Sequence, residues 1–229
     1  MSENIISYLD MCQREGTSLQ RGMNFKLNPH YSVLLMSVRP GAPYADLLEA
    51  DGTILIYEGH DTSKRPTSPD PKTIDQPLKY PSGKLTQNGL FFEAARQTKE
   101  NAAPPEAVKV YEKIKDGIWS YNGLFQLVDA WLEEGQNRTL CKFKLIAIQT
   151  TDGTIKAENT ALPTRRLIPS AVKQAVWKRD GGKCVLCSEK DQLHFDHIVP
   201  YSKGGTSLVA DNIQLLCARH NLSKSARIE

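Results

Sequence analysis

The sequence predicts an α+β protein of two unlike modules, a larger strand-rich one first and a small metal-stapled one at the C-terminus. Three observations carry that reading. Apolar, β-branched runs such as Tyr31–Val38 and Thr139–Ile148 alternate with turn-rich breaks. A polar, turn-rich stretch over 151–164 interrupts them and has the composition of a linker. Beyond it, three of the five cysteines crowd into the last fifth of the chain, in close pairs with each other and with a histidine.

The elements follow in order. Residues 3–15 suit a short helix, broken by the polar segment that follows. Tyr31–Val38 and Thr53–Tyr57 read as buried strands with a proline–glycine turn between them. Residues 60–83 hold Pro66, Pro69, Pro71, Pro77 and Pro81, which forbids a regular element, and loops this long are often functional. Residues 85–101 read as a helix and Val108–Ile114 as a strand. Residues 124–134 are ambiguous. Leu124, Leu127, Val128, Trp131 and Leu132 make a helical stripe, while Phe125, Leu127 and Trp131 also share one face of a strand; periodicity alone favours helix. In the C-terminal part, Ser170 is placed to cap a helix whose apolar face is Ala171, Val172, Ala175 and Val176, and Gly181 and Gly182 stop it. A strand ends at Pro200, and a return strand leads into a helix starting near Cys217.

The totals exclude some classes of function. No apolar run approaches the roughly 18 residues of a bilayer span. The N-terminus lacks the basic start and apolar stretch of a secretory signal, so a cytoplasmic protein without a membrane partner is expected. The formal charge of +3 hides an asymmetry: residues 165–229 carry 11 Lys and Arg against 6 Asp and Glu, the remainder 18 against 20. A basic C-terminal module suits a polyanion, with nucleic acid the first candidate, although a plain solvated surface would have the same charge.

Cys184 and Cys187 form a C-x2-C knuckle, and Cys217 and His220 a C-x2-H pair. Four such ligands in two pairs make a closed tetrahedral zinc site, and a module of this size gains stability from one. That site is full, which leaves His194, Asp196, His197 and Asn221 for a separate account. Asp196 and His197 are adjacent on a strand, so their side chains diverge. Asn221 lies about 100° around a helix from His220 and can face a different centre. A carboxylate and an amide oxygen are hard ligands suited to Mg2+ or Mn2+. A neutral imidazole beside them can take a proton from water. Base, metal and phosphate together describe phosphodiester hydrolysis. In the first module Tyr44 and Tyr57 flank Asp46; aromatic planes could stack on a base taken out of a duplex while a carboxylate reads its edge, or these could be core tyrosines and a turn aspartate.

The segment "CVLC…HFDHIVPYSKGG…DNIQLLCARHN" resembles the HNH nucleases, whose fold is a ββα-metal hairpin and helix. The resemblance implies His197 as general base, Asp196 and Asn221 as holders of the catalytic divalent metal, and Asn212 as the asparagine that orients the hairpin loop. Cys184, Cys187, Cys217 and His220 match the zinc-binding subset, where the fourth ligand is more often cysteine. His194 has no family role and is either structural or a phosphate contact. Lys203, Arg219 and Lys224 are phosphate contacts or plain surface charges.

A looser resemblance joins "YADLLEADGTILIYEG", "DQPL" and residues 121–145 to the SRA (YDG) domain, a PUA-like curved β-barrel that flips out modified cytosine. The family's YDG reads Tyr121-Asn122-Gly123 here. The resemblance makes residues 124–134 a strand rather than a helix. It implies that Tyr44 and Tyr57 sandwich the base, that Asp46 reads its Watson–Crick edge, that Glu58 lines the pocket, and that Lys64 and Arg65 sit on a finger inserted into DNA. The expected organisation is residues 1–150 as an SRA-like reader, 151–164 as linker and 165–229 as an HNH nuclease domain. The expected whole is a modification-dependent restriction endonuclease acting on double-stranded DNA carrying 5-methylcytosine or 5-hydroxymethylcytosine, with a homodimer or two nicks giving a double-strand break. The alternatives are a non-catalytic zinc-stapled DNA binder and a nicking or homing-type nuclease indifferent to modification.

Overall fold

A computed structural model describes residues 3–49, 52–64, 66, 68–148, 150–151, 154–155 and 167–224. In chain order the elements are β1 (Glu3–Ser7), α1 (Tyr8–Glu15), β2 (Met23–Asn28), β3 (Tyr31–Met36), β4 (Leu47–Glu49), β5 (Ile54–Glu58) and α2 (Gln87–Lys99). They continue with β6 (Glu106–Lys115), β7 (Ile118–Glu134), β8 (Thr139–Ala147), β9 (Thr150–Thr151) and β10 (Thr154–Ile155). The last are α3 (Ser170–Asp180), β11 (Leu193–His197), β12 (Ile213–Cys217) and α4 (Ala218–Lys224).

The strands expected at 31–38, 53–57, 108–114 and 139–148 and the helix over 85–101 are present within a residue or two of each end, and the strand expected to end at Pro200 ends three residues earlier, at His197. Residues 118–134 form one 17-residue strand. Tertiary pairing overrides their helical stripe, because β7 is hydrogen-bonded to β6 along its first half and to β8 along its second. A register shift between Leu127 and Asp129 bends the strand where it changes partner. The sheet curves around the first module without closing into a barrel. β3 and β6 are parallel neighbours, and β5 pairs with β8. α2 lies against this sheet: Phe91 and Ala95 are fully buried, and Phe91 meets Phe25 edge-on at 5.2 Å between ring centres. Alternate residues of β3, β5, β6, β7 and β8 supply the rest of this core, among them Leu34, Leu55, Val108, Val110, Phe125, Phe143 and Leu145.

Two expectations need correction. Residues 3–7 are a strand, not the first turn of a helix. Ser7 caps α1 by accepting a hydrogen bond from the Asp10 amide at 3.1 Å, so the helix begins at Tyr8. In α3 the cap position falls on Pro169, with Ser170 the first helical residue, and Ala171 and Ala175 face out. The buried face is Val172, Lys173 and Val176, at helical spacing. It was hidden because one of its members is a lysine.

That lysine lies at the join between the modules. β1 pairs with β11 of the C-terminal module through Glu3↔Phe195 and Asn4↔His194, and with β7 of the first module through Ile5–Ser7. One sheet thus runs through both modules, in the order β12-β11-β1-β7-β6-β3-β2. Lys173 donates to Glu112 (3.0 Å) and to Asn122 (2.9 Å), and Asn122 donates to the same Glu112 oxygen at 3.0 Å. Among the linker residues, 152–153 and 156–164 lie outside the described residues.

Candidate functional site

The C-terminal module is a β-hairpin followed by a helix, with its own core of Val176, Leu193, Phe195, Ile213, Leu215 and Leu216. The ligating atoms of Cys184, Cys187, Cys217 and His220 all lie within 4.8 Å of one another. Zinc with thiolates at about 2.3 Å in a tetrahedron requires sulfurs about 3.8 Å apart; Cys187 and Cys217 Sγ are 3.8 Å apart. The His220 Nδ1 lies 3.4 Å from Cys184 Sγ and 3.3 Å from Cys217 Sγ. The donor set and its spacing fit the ion. Burial opposes ionisation of Cys184, yet the amides of Cys217, Leu186 and Cys187 and the His220 ring outweigh it and bring the thiol down to about 6.

Asp196 and His197 occupy the end of β11 and point apart, as strand alternation requires. On one side the Asp196 carboxylate is ion-paired with Lys224, which also donates to the His197 carbonyl oxygen. On the other side the His197 Nε2 lies 2.8 Å from the Ser207 hydroxyl. Asn212, in a 3-10 turn over Ala210–Asn212, ties the hairpin loop together. Its Oδ1 accepts from the Val199 amide at 2.8 Å, and its Nδ2 donates to Thr206 O at 2.9 Å and Val199 O at 3.2 Å. The loop closes so tightly that a Cβ on Gly205 would stand 1.8 Å from the Val199 carbonyl, so only glycine fits there. Asn221 lies on α4, half-buried. The Asp196 side chain, 14% exposed, is occupied by the Lys224 ammonium.

Lys224 is the first correction among the site residues. It is 1% exposed and bound to Asp196, so it belongs to the hairpin rather than to a phosphate-facing surface. Lys203 and Arg219 are exposed. His194 is half-buried opposite Asn4 on β1, and burial lowers its pKa. Ser207 was missed by sequence reasoning, since a lone serine in a polar loop carries no signal until the fold sets it beside His197.

In the first module a cavity of about 430 Å3 opens between β3, the turn after it and the β1–α1 region, lined by Tyr44, Asp46, His60, Arg21, Arg39 and Trp119 among others. Asp46 reaches it, and both its oxygens are engaged: Oδ2 accepts from the Ser37 amide (3.0 Å) and Oδ1 from the Glu58 amide (3.1 Å). Burial outweighs those two bonds and pushes its pKa up to about 7.

The geometry departs from an open Tyr44–Tyr57 sandwich. Tyr57 is 1% exposed and packs in the core, its hydroxyl held by Leu35 O (3.2 Å) and by His60 Nε2 (2.9 Å). The ring stacked on Tyr44 is that of His60, at 4.6 Å between centres and 8° from parallel. Burial lowers the His60 pKa to about 4, so the ring is neutral at pH 7. Glu58 does not line the cavity. It is 4% exposed, accepts from Lys142 (3.1 Å) and the Ala45 amide (3.1 Å), and lies 3.7 Å from Arg138. Its buried charge is neutralised there, bracing the loop that carries Tyr44. Lys64 is exposed in the proline-rich segment, and Arg65 lies outside the described residues. That segment is anchored rather than free: Gln76 is buried, donating to Gly59 O at 2.6 Å, and its Oε1 accepts from the Cys141 amide at 2.8 Å. The cationic groups at the cavity are instead Arg21, Arg39 and Lys113. Arg39 pairs with Asp116 at 3.2 Å, and its Nε is buried with no hydrogen-bond partner among the described residues.

Fold and site define a two-module protein: a curved-sheet module holding a cavity with an aromatic wall, joined to a ββα module with a thiolate–imidazole cluster and a carboxylate–imidazole strand end. Residues 184–227 match the family model described as HNH endonuclease. Among solved structures, the chain is similar to an SUVH5 SRA domain in complex with hemimethylated CG DNA (22% identity, 65% of this chain and 89% of that one, TM-score 0.44). It is also similar to the SUVH5 SRA domain bound to fully hydroxymethylated CG DNA (20% identity, 65% and 89%, TM-score 0.46). A third similarity is to the type IV phosphorothioation-dependent restriction endonuclease ScoMcrA (16% identity, TM-score 0.44); it covers 99% of this chain, which spans 55% of that one. No curated protein matches the sequence. No helix among the described residues is long and apolar enough to cross a membrane.

Proposed function

We propose that the protein is a modification-dependent DNA endonuclease: the first module reads 5-methylcytosine or 5-hydroxymethylcytosine extruded from double-stranded DNA, and the HNH module hydrolyses the backbone. The observation that carries this reading is Asp196 and His197 side by side on β11, facing apart, next to a zinc-type cluster that consumes neither of them. A Mg2+ or Mn2+ ion held by Asp196 and Asn221 would supply positive charge to the scissile phosphate. The His197 Nε2 shares a hydrogen bond with the Ser207 hydroxyl, which orients the ring; with the proton on that nitrogen, Nδ1 is the atom that takes the proton from water. Asn212 holds the loop that carries Ser207 against the strand end. Zn2+ at Cys184, Cys187, Cys217 and His220 braces the helix bearing Asn221. One such centre cuts one strand, so a double-strand break calls for a homodimer or two successive nicks. Exposed Lys203 and Arg219, and Lys64 and Arg65 of the proline-rich segment, are proposed backbone contacts.

The test is cleavage of one plasmid in four forms: unmodified, cytosine-methylated, hydroxymethylated, and carrying phosphorothioate linkages. Cutting confined to the base-modified forms supports the reading. Equal cutting of all forms, or cutting that follows the backbone sulfur, overturns it. His197→Ala should abolish cutting while leaving DNA binding in place.

A further inference from the structure

Tyr44 lines the first-module cavity, yet its ring is already in use. The His60 ring lies parallel to it, and the Lys72 ammonium sits over it at 4.2 Å from the ring centre. Lys72 is tied down by Asp61 at 2.9 Å and by the Pro43 carbonyl. Among the described residues the His60 side chain is held by one hydrogen bond, to the Tyr57 hydroxyl. Its backbone is pinned: Asn88 Oδ1 accepts from the His60 amide at 2.8 Å, and Asn88 Nδ2 donates to the His60 carbonyl at 2.8 Å. The imidazole can therefore leave by a side-chain rotation without disturbing the chain. The slot it fills is flat and built for a planar ring. Gly22 forms its floor, where a Cβ would stand 2.4 Å from His60 Cε1 and 2.9 Å from the Tyr57 hydroxyl.

We propose that His60 is a built-in plug, a planar heteroaromatic that occupies the stacking place on Tyr44 until an extruded base displaces it. The plug sets a threshold on entry, because entry costs the His60–Tyr57 hydrogen bond and the His60–Tyr44 stack. Only a base whose own contacts exceed these is retained. This rests on the reading of the cavity as a base site.

The experiment measures equilibrium binding, without added magnesium, of a duplex bearing one 5-methylcytosine and of its unmodified twin. The proteins are wild type, Tyr44→Ala, His60→Ala and His60→Ser. Losing one hydrogen bond and one ring contact from the unliganded state should tighten binding of the modified duplex about tenfold in both His60 variants. In the wild type, the His60 ring-proton resonances, shifted by the Tyr44 ring, should move toward free-imidazole positions when the modified duplex is added, a readout that needs no variant. Unchanged or weaker binding in the His60 variants, with Tyr44→Ala abolishing discrimination, overturns the plug and leaves the cavity reading intact. Unchanged discrimination in Tyr44→Ala overturns the cavity reading itself.

Discussion

Replacing Lys173 with methionine removes a positive charge from a fully buried cluster at the module junction. Lys173 and Glu112 are 0% exposed and Asn122 is 2% exposed. Glu112 Oε2 takes both the lysine and the asparagine donors at 3.0 Å, while Oε1 has no hydrogen-bond partner among the described residues. Without the ammonium a carboxylate is left buried and uncompensated, which costs about 3–5 kcal/mol. For a chain of this length each kcal/mol moves the melting temperature by roughly 2–4 °C, so Lys173→Met should melt about 6–20 °C lower. Adding Glu112→Gln removes the orphaned charge and should restore more than half of the loss. Thermal denaturation of the two single variants and the double variant completes the cycle. A single-variant drop under about 2 °C, or a double variant no better than Lys173→Met, would show that the pair is not the bond between modules described above.

The other predictions are briefer. Cys184→Ser, or chelation of the wild type, should unfold the C-terminal module and release one zinc per chain, read by metal analysis and circular dichroism; full retention of structure after chelation would refute the zinc assignment. Asn122→Asp would set a second carboxylate against Glu112 and should destabilise the chain by about 2–4 kcal/mol, seen in denaturant unfolding. Asp46 is raised to about 7 in the fold, so its contribution to stability is fully present below about pH 4 and lost as the pH rises through 7. Melting curves from pH 5 to 8 should accordingly be flatter for Asp46→Asn than for the wild type, and parallel curves would contradict the shift. Lys224→Met should weaken cleavage far more than DNA binding, because the ammonium holds Asp196 and the His197 carbonyl rather than phosphate; equal losses in both assays would return it to the DNA-facing surface.

Much of the C-terminal module is legible in the chain because its chemistry is written in local spacing. C-x2-C and C-x2-H place ligand pairs within reach of one ion whatever surrounds them, and adjacent residues on a strand must point apart. The strands of the first module announce themselves by apolar runs, but residues 124–134 do not. Leu124, Leu127, Val128, Trp131 and Leu132 satisfy a helix, and it is the resemblance to the SRA domain, not the periodicity, that points to the strand formed by pairing with β6 and β8. The hidden face of α3 shows the same limit from the other side. A lysine reads as solvent-exposed until a glutamate some 60 positions earlier in the chain is folded against it.

The amino-acid order by itself indicated the C-x2-C and C-x2-H pairs, the adjacent Asp196 and His197 on a strand, and the strands at 31–38, 53–57, 108–114 and 139–148, since each rests on local spacing or a local apolar run. The tertiary structure alone decided what Tyr44 touches, that Tyr57 and Glu58 are buried rather than at the cavity wall, that Lys224 faces Asp196, and that β1 joins the two modules. These contacts link residues distant along the chain. Their distances are set by how the sheet curves and by which charges must be neutralised once water is excluded, and neither is encoded in any short stretch.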